Sequence, residues 1–123
     1  MRSEVDVLIV EDEPLARKAL TLLLSSRGYH TRAVPSAEDA LRCMSRAGVP
    51  KVALIDMDLP GMNGIELIKR LHALRSPVMP VLITAASRSV LQELRPTEPV
   101  AYFRKPLDVD RLMLLLGERT AAN

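Results

Sequence analysis

The chain has 123 residues, 48% of them hydrophobic, a formal charge of +2 and a single cysteine, Cys43. A chain of this length suits one ordinary domain, here residues 1–123, able to bury roughly two-thirds of its unfolded surface, and one cysteine excludes an internal disulfide. Its Lys and Arg residues are scattered, with no basic block or interleaved aromatics, which argues against direct nucleic-acid binding, and no apolar stretch nears the ~18 residues of a membrane span.

Met1 to Glu4 lead straight into an apolar run, Val5-Asp6-Val7-Leu8-Ile9-Val10, so no secretory signal is expected and the chain reads as cytoplasmic. Pro14 can open a helix carrying Leu15, Ala19, Leu20, Leu22, Leu23 and Leu24, which Gly28 stops. Tyr29 to Val34 reads as a strand. Ser36 with Asp39 then makes a capping box for a helix containing Ala37, Ala40, Leu41 and Met44 and ending at Gly48. Val52-Ala53-Leu54-Ile55 is the next strand, and Asn63 with Glu66 repeats the box before Ile65, Leu67, Ile68, Leu71 and Leu74. Pro80 to Ile83 forms a strand ending at Thr84, Val100 to Arg104 another ending at Lys105-Pro106, and Asp108 caps a last helix. Strands alternating with helices predict a parallel sheet covered on both faces.

In such a sheet the carboxyl ends of the strands face one crevice. Glu11, Asp12 and Asp56, the hydroxyl of Thr84 and the ammonium of Lys105 would all meet there. Crowded carboxylates repel, and a divalent cation with a lysine keeps them ionised; the grouping suits a metal and a phosphoryl group. Taken singly, each has a plainer reading. Asp12 and Asp56 could be helix caps, Lys105 a solvated charge, Thr84 a strand residue and Tyr102 a core aromatic. Glu13 reads as a first-turn acid complementing the helix dipole. His30 and His72 lie in an α/β pattern and are expected to be structural, as is Cys43 on its amphipathic helix.

Val10-Glu11-Asp12, Leu54 to Gly64 around Asp56, Ile83-Thr84-Ala85 and Lys105-Pro106 together resemble, in order and near-matching spacing, the receiver domain of bacterial two-component response regulators. The resemblance covers essentially the whole chain. It implies a flavodoxin-like doubly wound α/β fold with strand order 2-1-3-4-5, an arrangement for which the chemotaxis receiver is a standard example. It implies that Asp56 takes a phosphoryl group from a histidine kinase or histidine phosphotransfer protein. Mg²⁺ would be held by Asp12, Asp56, the backbone carbonyl of Asp58 and, through a water, Glu11. Lys105 would pair with the phosphoryl oxygens, Thr84 would donate its hydroxyl to one of them, and Tyr102 would move as Thr84 shifts. A receiver of this kind catalyses only its own phosphorylation and dephosphorylation, and signals to an effector or a second copy through the face made by the fourth helix, fifth strand and fifth helix.

Two departures from the family pattern stand out. The segment Ser87 to Pro99 is slightly short and contains Pro96, so the fourth helix is expected to be short or irregular, about two turns. Asp58, two residues past Asp56, adds a carboxylate at a position that influences dephosphorylation in the family. The pair Asp56-Met57-Asp58 also resembles the nucleophile and acid of haloacid-dehalogenase-type phosphatases, but that family carries the pair on its first strand and Pro60 stands where it has Thr or Val. A third reading is a binding module that keeps the fold without cycling phosphate. The chain stops soon after the last helix, as a stand-alone receiver or as the first part of a longer regulator would.

Overall fold

A computed structural model describes residues 4–85 and 101–121. The strands are β1 (Val7–Val10), β2 (Thr31–Val34), β3 (Val52–Asp56), β4 (Met79–Thr84) and β5 (Ala101–Arg104). They form one parallel sheet in the order β2-β1-β3-β4-β5, as the resemblance implies. The helices are α1 (Pro14–Ser26), α2 (Ala37–Ala47), α3 (Gly64–Ala73) and a C-terminal helix (Val109–Ala121). Ser87 to Pro99, where a short fourth helix is expected, lies outside the described residues.

The central strands are apolar on both sides because helices cover both. Leu8, Val10, Ala53, Ile55 and Leu82 face α2 and α3, meeting Ala40, Met44, Leu67, Ile68 and Leu71. The alternate residues Val7, Ile9, Leu54, Val81, Ile83 and Phe103 face Leu24 of α1 and Leu112 and Leu116 of the C-terminal helix. Leu15 and Leu22 of α1 point outward, 76% and 61% exposed, so only part of that helix's apolar content enters the core.

Local signals place the helix ends. Pro14 occupies the first turn of α1, and Gly28, with φ at 91°, ends it. The Tyr29 N–H donates to the Leu24 carbonyl and the Gly28 N–H to that of Ser25, both 3.1 Å, a paired arrangement that closes a helix C-terminus. Asn63 and Glu66 form the full reciprocal capping box of α3. At α2 only half of the expected box forms. Ser36 caps the Asp39 N–H, but the Asp39 carboxylate pairs with Arg42, since an aspartate is one methylene shorter than the glutamate that reaches back elsewhere. Asp108 caps the C-terminal helix at the Arg111 N–H. That arginine lies over the Phe103 ring, 4.3 Å from its centroid, and donates to the Tyr102 carbonyl, tying the helix to β5.

Two glycines have opposite costs. A Cβ on Gly64 would lie 2.5 Å from the Asp56 carbonyl oxygen and 2.8 Å from the Met57 Cα, both backbone atoms, so α3 can start this close to β3 only with glycine. A Cβ on Gly117, inside the C-terminal helix, meets nothing within 4 Å. Gly64→Ala should therefore destabilise the protein by about 1–3 kcal/mol, whereas Gly117→Ala should stabilise it by about 0.5–1 kcal/mol. Urea unfolding midpoints measure both.

Candidate functional site

Strand register brings the chemistry together. Val10 lies level with Ile55, so the next residues, Glu11 and Asp56, end neighbouring strands side by side. Asp56 is itself the last residue of β3 and lies level with Ile83. Thr84 follows on β4, level with Arg104, and the Lys105 N–H donates to the Thr84 carbonyl at 2.9 Å. The Lys105-Pro106 peptide is cis.

Glu11 and Asp56 are each only 4% exposed and Thr84 is fully buried, whereas Asp12 is exposed. One carboxylate oxygen from each of Glu11, Asp12 and Asp56 lies within 4.8 Å of the others. The Lys105 Nζ approaches Asp56 Oδ2 at 3.6 Å, and the Asp58 N–H donates to Asp56 Oδ1 at 3.1 Å. Both oxygens of Asp56 thus have a partner on the loop side of the sheet. Thr84 Oγ1 donates to the Met57 sulfur at 3.5 Å.

Glu11 records the electrostatic cost of this crowding. Burial, a side-chain hydrogen bond with Asp56 and the charge of that carboxylate raise its pKa from 4.5 to about 7; the Glu13 N–H, 3.2 Å from Glu11 Oε1, and the charge of Lys105 oppose the rise. Three carboxylate oxygens within 4.8 Å of one another, with the Glu11 pKa raised by its surroundings, are a donor set short of positive charge. All donors are hard oxygens, and Asp12 leaves one side open to water, which suits Mg²⁺.

The residues expected from sequence at this edge, Glu11, Asp12, Asp56, Thr84 and Lys105, are thus brought together. Tyr102 is half-buried on β5, packs on the α2 and α3 side of the sheet, and has its pKa raised by burial. Glu13 is the N-cap of α1 itself, accepting from the Leu15 and Ala16 N–H groups, so its role is one position earlier than a first-turn acid. His30 lies at the opposite edge, where its carbonyl accepts from the Asp6 and Val7 N–H groups, and His72 lies in the last turn of α3. Cys43 packs against the core of the α2 and α3 face.

Sequence reasoning missed three residues. Arg17, one turn into α1, donates to the carbonyls of Glu11 and Asp12 at 3.0 and 3.3 Å and so clamps the acidic turn. Glu38 of α2 accepts from the Met62 N–H at 3.4 Å, across to the loop after β3. Met57 partners Thr84. In sequence Arg17 and Glu38 look like any solvated helix charge, and Met57 like any apolar residue.

The response regulator receiver domain model matches residues 7–116. The chain belongs to the response regulator receiver domain family. Sporulation initiation phosphotransferase F of Bacillus subtilis is 30% identical over 107 residues, covering 86% of this chain and 86% of that protein. The transcriptional regulatory protein ZraR of Salmonella typhimurium is 34% identical over 98% of this chain, and DNA-binding transcriptional regulator NtrC of a Bradyrhizobium strain is 29% identical over 94% of it. The chain spans only 27% and 24% of those two regulators. The receiver domain of the Francisella response regulator 1452 superposes with a TM-score of 0.84 at 21% identity, covering 94% of this chain and 95% of that one, which supports the fold. Receivers are signalling domains of phosphorelays, so this membership displaces the phosphatase reading; Asp56 also stands on the third strand and not the first. Among the described residues no helix is long and apolar enough to cross a membrane.

Arg17 supplies the test of this local architecture. Arg17→Met leaves two carbonyls of the acidic turn without their charged donor, and should lower stability by about 1 kcal/mol. It should also speed amide exchange at Glu13, whose N–H depends on the position of Glu11; Arg17→Lys should recover part of both effects.

Proposed function

We propose that this receiver accepts a phosphoryl group on Asp56 from a phosphohistidine of a sensor kinase or a histidine phosphotransfer protein, and signals through a shift of Thr84 and Tyr102. The observation that carries this reading is the environment of Asp56. Its carboxylate is buried yet faces Lys105 Nζ at 3.6 Å, with the Glu11 and Asp12 carboxylates at its side.

In the transfer, an Asp56 carboxylate oxygen forms the new P–O bond as the P–N bond to the donor imidazole breaks, and the leaving imidazole takes up a proton from water. Such transfers need positioning and charge neutralisation more than covalent assistance from the protein. Asp12, Asp56, the Asp58 carbonyl and, through a water, Glu11 would hold Mg²⁺, which when bound supplies positive charge to the phosphoryl oxygens. Lys105, tethered beside Thr84 by its backbone, offers its ammonium to the same oxygens. The Asp58 N–H fixes the orientation of Asp56. Asp58 itself stands two residues past the end of β3 and is exposed, and its side chain brings a further negative charge to the loop that carries the product.

The Thr84 hydroxyl can then exchange its sulfur partner for a phosphoryl oxygen. Thr84 and Tyr102 belong to adjacent strands, so displacement of one changes the space open to the other. A histidine kinase or phosphotransfer partner approaches the open carboxyl edge of the sheet, and an effector or second copy reads the β5 side. Similarity to a sporulation phosphotransferase and to transcriptional regulators supports a relay or regulatory setting, with the output set by the wider protein or its partners.

Acetyl phosphate with Mg²⁺ should load one acid-stable, hydroxylamine-sensitive phosphoryl group, seen by mass spectrometry, and Asp56→Asn should abolish it. Unchanged labelling of Asp56→Asn would overturn the assignment, and a parent protein that never labels would favour the non-cycling module.

The two phosphate-facing side chains should separate. Lys105→Ala removes charge compensation and should slow labelling by roughly 10²-fold. Thr84→Ala should leave labelling within about threefold while reducing the change in Tyr102 NMR signals on phosphorylation.

A further inference from the structure

Met57 stands between the phosphoacceptor and the switch threonine, and its backbone is fixed on both sides. Its N–H donates to the Ile83 carbonyl at 2.9 Å and its carbonyl accepts from the Gly64 N–H at 3.0 Å. Only the side chain is free to respond to events at Asp56. That side chain is half-buried, packs on the same core face as Tyr102, and holds its sulfur 3.5 Å from Thr84 Oγ1. Thr84 is fully buried on β4.

A buried hydroxyl needs a hydrogen-bond acceptor, and desolvation makes leaving it without one costly. A thioether sulfur is a weak acceptor. It satisfies the hydroxyl, yet gives it up for an anionic oxygen at little cost, because hydrogen bonds to charged acceptors are roughly twice as strong as neutral ones. A carboxamide or carbonyl in the same place would hold the threonine more firmly, and an aliphatic side chain would offer its hydroxyl no acceptor at that point.

We propose that Met57 is a positioning residue for the switch: its sulfur holds the Thr84 hydroxyl in the resting arrangement, and the strength of that contact sets how readily Thr84 turns to a phosphoryl group on Asp56. The inference rests on the phosphoacceptor reading of Asp56 and adds to it the element that sets the threshold. A ligand shifts a two-state equilibrium only by its differential affinity for the two states. Weakening the resting contact therefore tightens binding of any phosphoryl mimic, and strengthening it loosens binding.

The test is a beryllofluoride titration in the presence of Mg²⁺, followed by ¹⁹F NMR for occupancy and by Tyr102 signals for the switch. Met57→Leu conserves volume and is tolerated in cores, but removes the sulfur. It should bind beryllofluoride about two- to threefold more tightly, the low end of what one neutral hydrogen bond contributes, and its resting Tyr102 signals should move toward the bound positions. Met57→Gln, close in shape with a better acceptor, should bind more weakly by a similar factor. Both effects should vanish in a Thr84→Ala background, completing a double-mutant cycle. A role in packing alone gives no opposite signs and no dependence on Thr84. Equal affinities in the parent and Met57→Leu, or a Met57→Leu effect that survives intact in Thr84→Ala, would overturn the proposal. If Met57→Gln fails to fold, the Met57→Leu cycle decides alone. A parent protein that shows no Asp56-dependent beryllofluoride signal would overturn the phosphoacceptor reading itself, and this proposal with it.

Discussion

Three carboxylates held at one end of a parallel sheet are the constraint on which the rest of this structure depends. Register alone forces Glu11 and Asp56 side by side, because the residues before them are level across β1 and β3. Their burial removes the water that would separate their charges, and Glu11 responds by holding its proton up to about pH 7. Several nearby groups supply positive charge or hydrogen-bond donors to this cluster. Lys105 approaches from β5, the Asp58 and Glu13 N–H groups turn inward, and Arg17 holds the acidic turn by its carbonyls. Such a site is unfavourable to fold and well suited to take up cationic charge and a phosphoryl group.

The sheet acts as the frame that makes this tolerable. Helices cover both faces, and among the described residues the buried polar side chains, Glu11, Asp56 and Thr84, collect at the open carboxyl edge. Gly64 lets α3 begin against the β3 end, which fixes the loop between Asp56 and Asn63 at both of its ends.

Much of this was legible in the sequence, for identifiable reasons. Fully buried parallel strands require continuous apolar runs, so β1, β3 and β4 stand out, and Gly28, Ser36, Asn63 and Asp108 mark helix ends through local geometry. The acidic cluster followed from strand ends converging at one edge. What escaped was long-range and chemically ordinary. A guanidinium reaching back from α1 to two carbonyls, a glutamate reaching from α2 to the next loop, and a sulfur accepting from Thr84 leave no periodic or spacing signal. The half-formed box at Ser36 shows the same limit, since one methylene decides whether a carboxylate reaches its own cap or a neighbouring arginine.

The central claim is that the carboxylate cluster is short of positive charge until a divalent cation joins Lys105. Site-resolved ¹³C NMR titration of the Glu11 carboxyl, with and without Mg²⁺, tests it most directly. A cation beside a carboxylate favours its ionised form, so Glu11 should titrate near pH 7 in the metal-free protein and fall into the ordinary carboxylate range with saturating Mg²⁺. A Glu11 that titrates at its ordinary value without metal, or whose titration ignores Mg²⁺, would contradict the account.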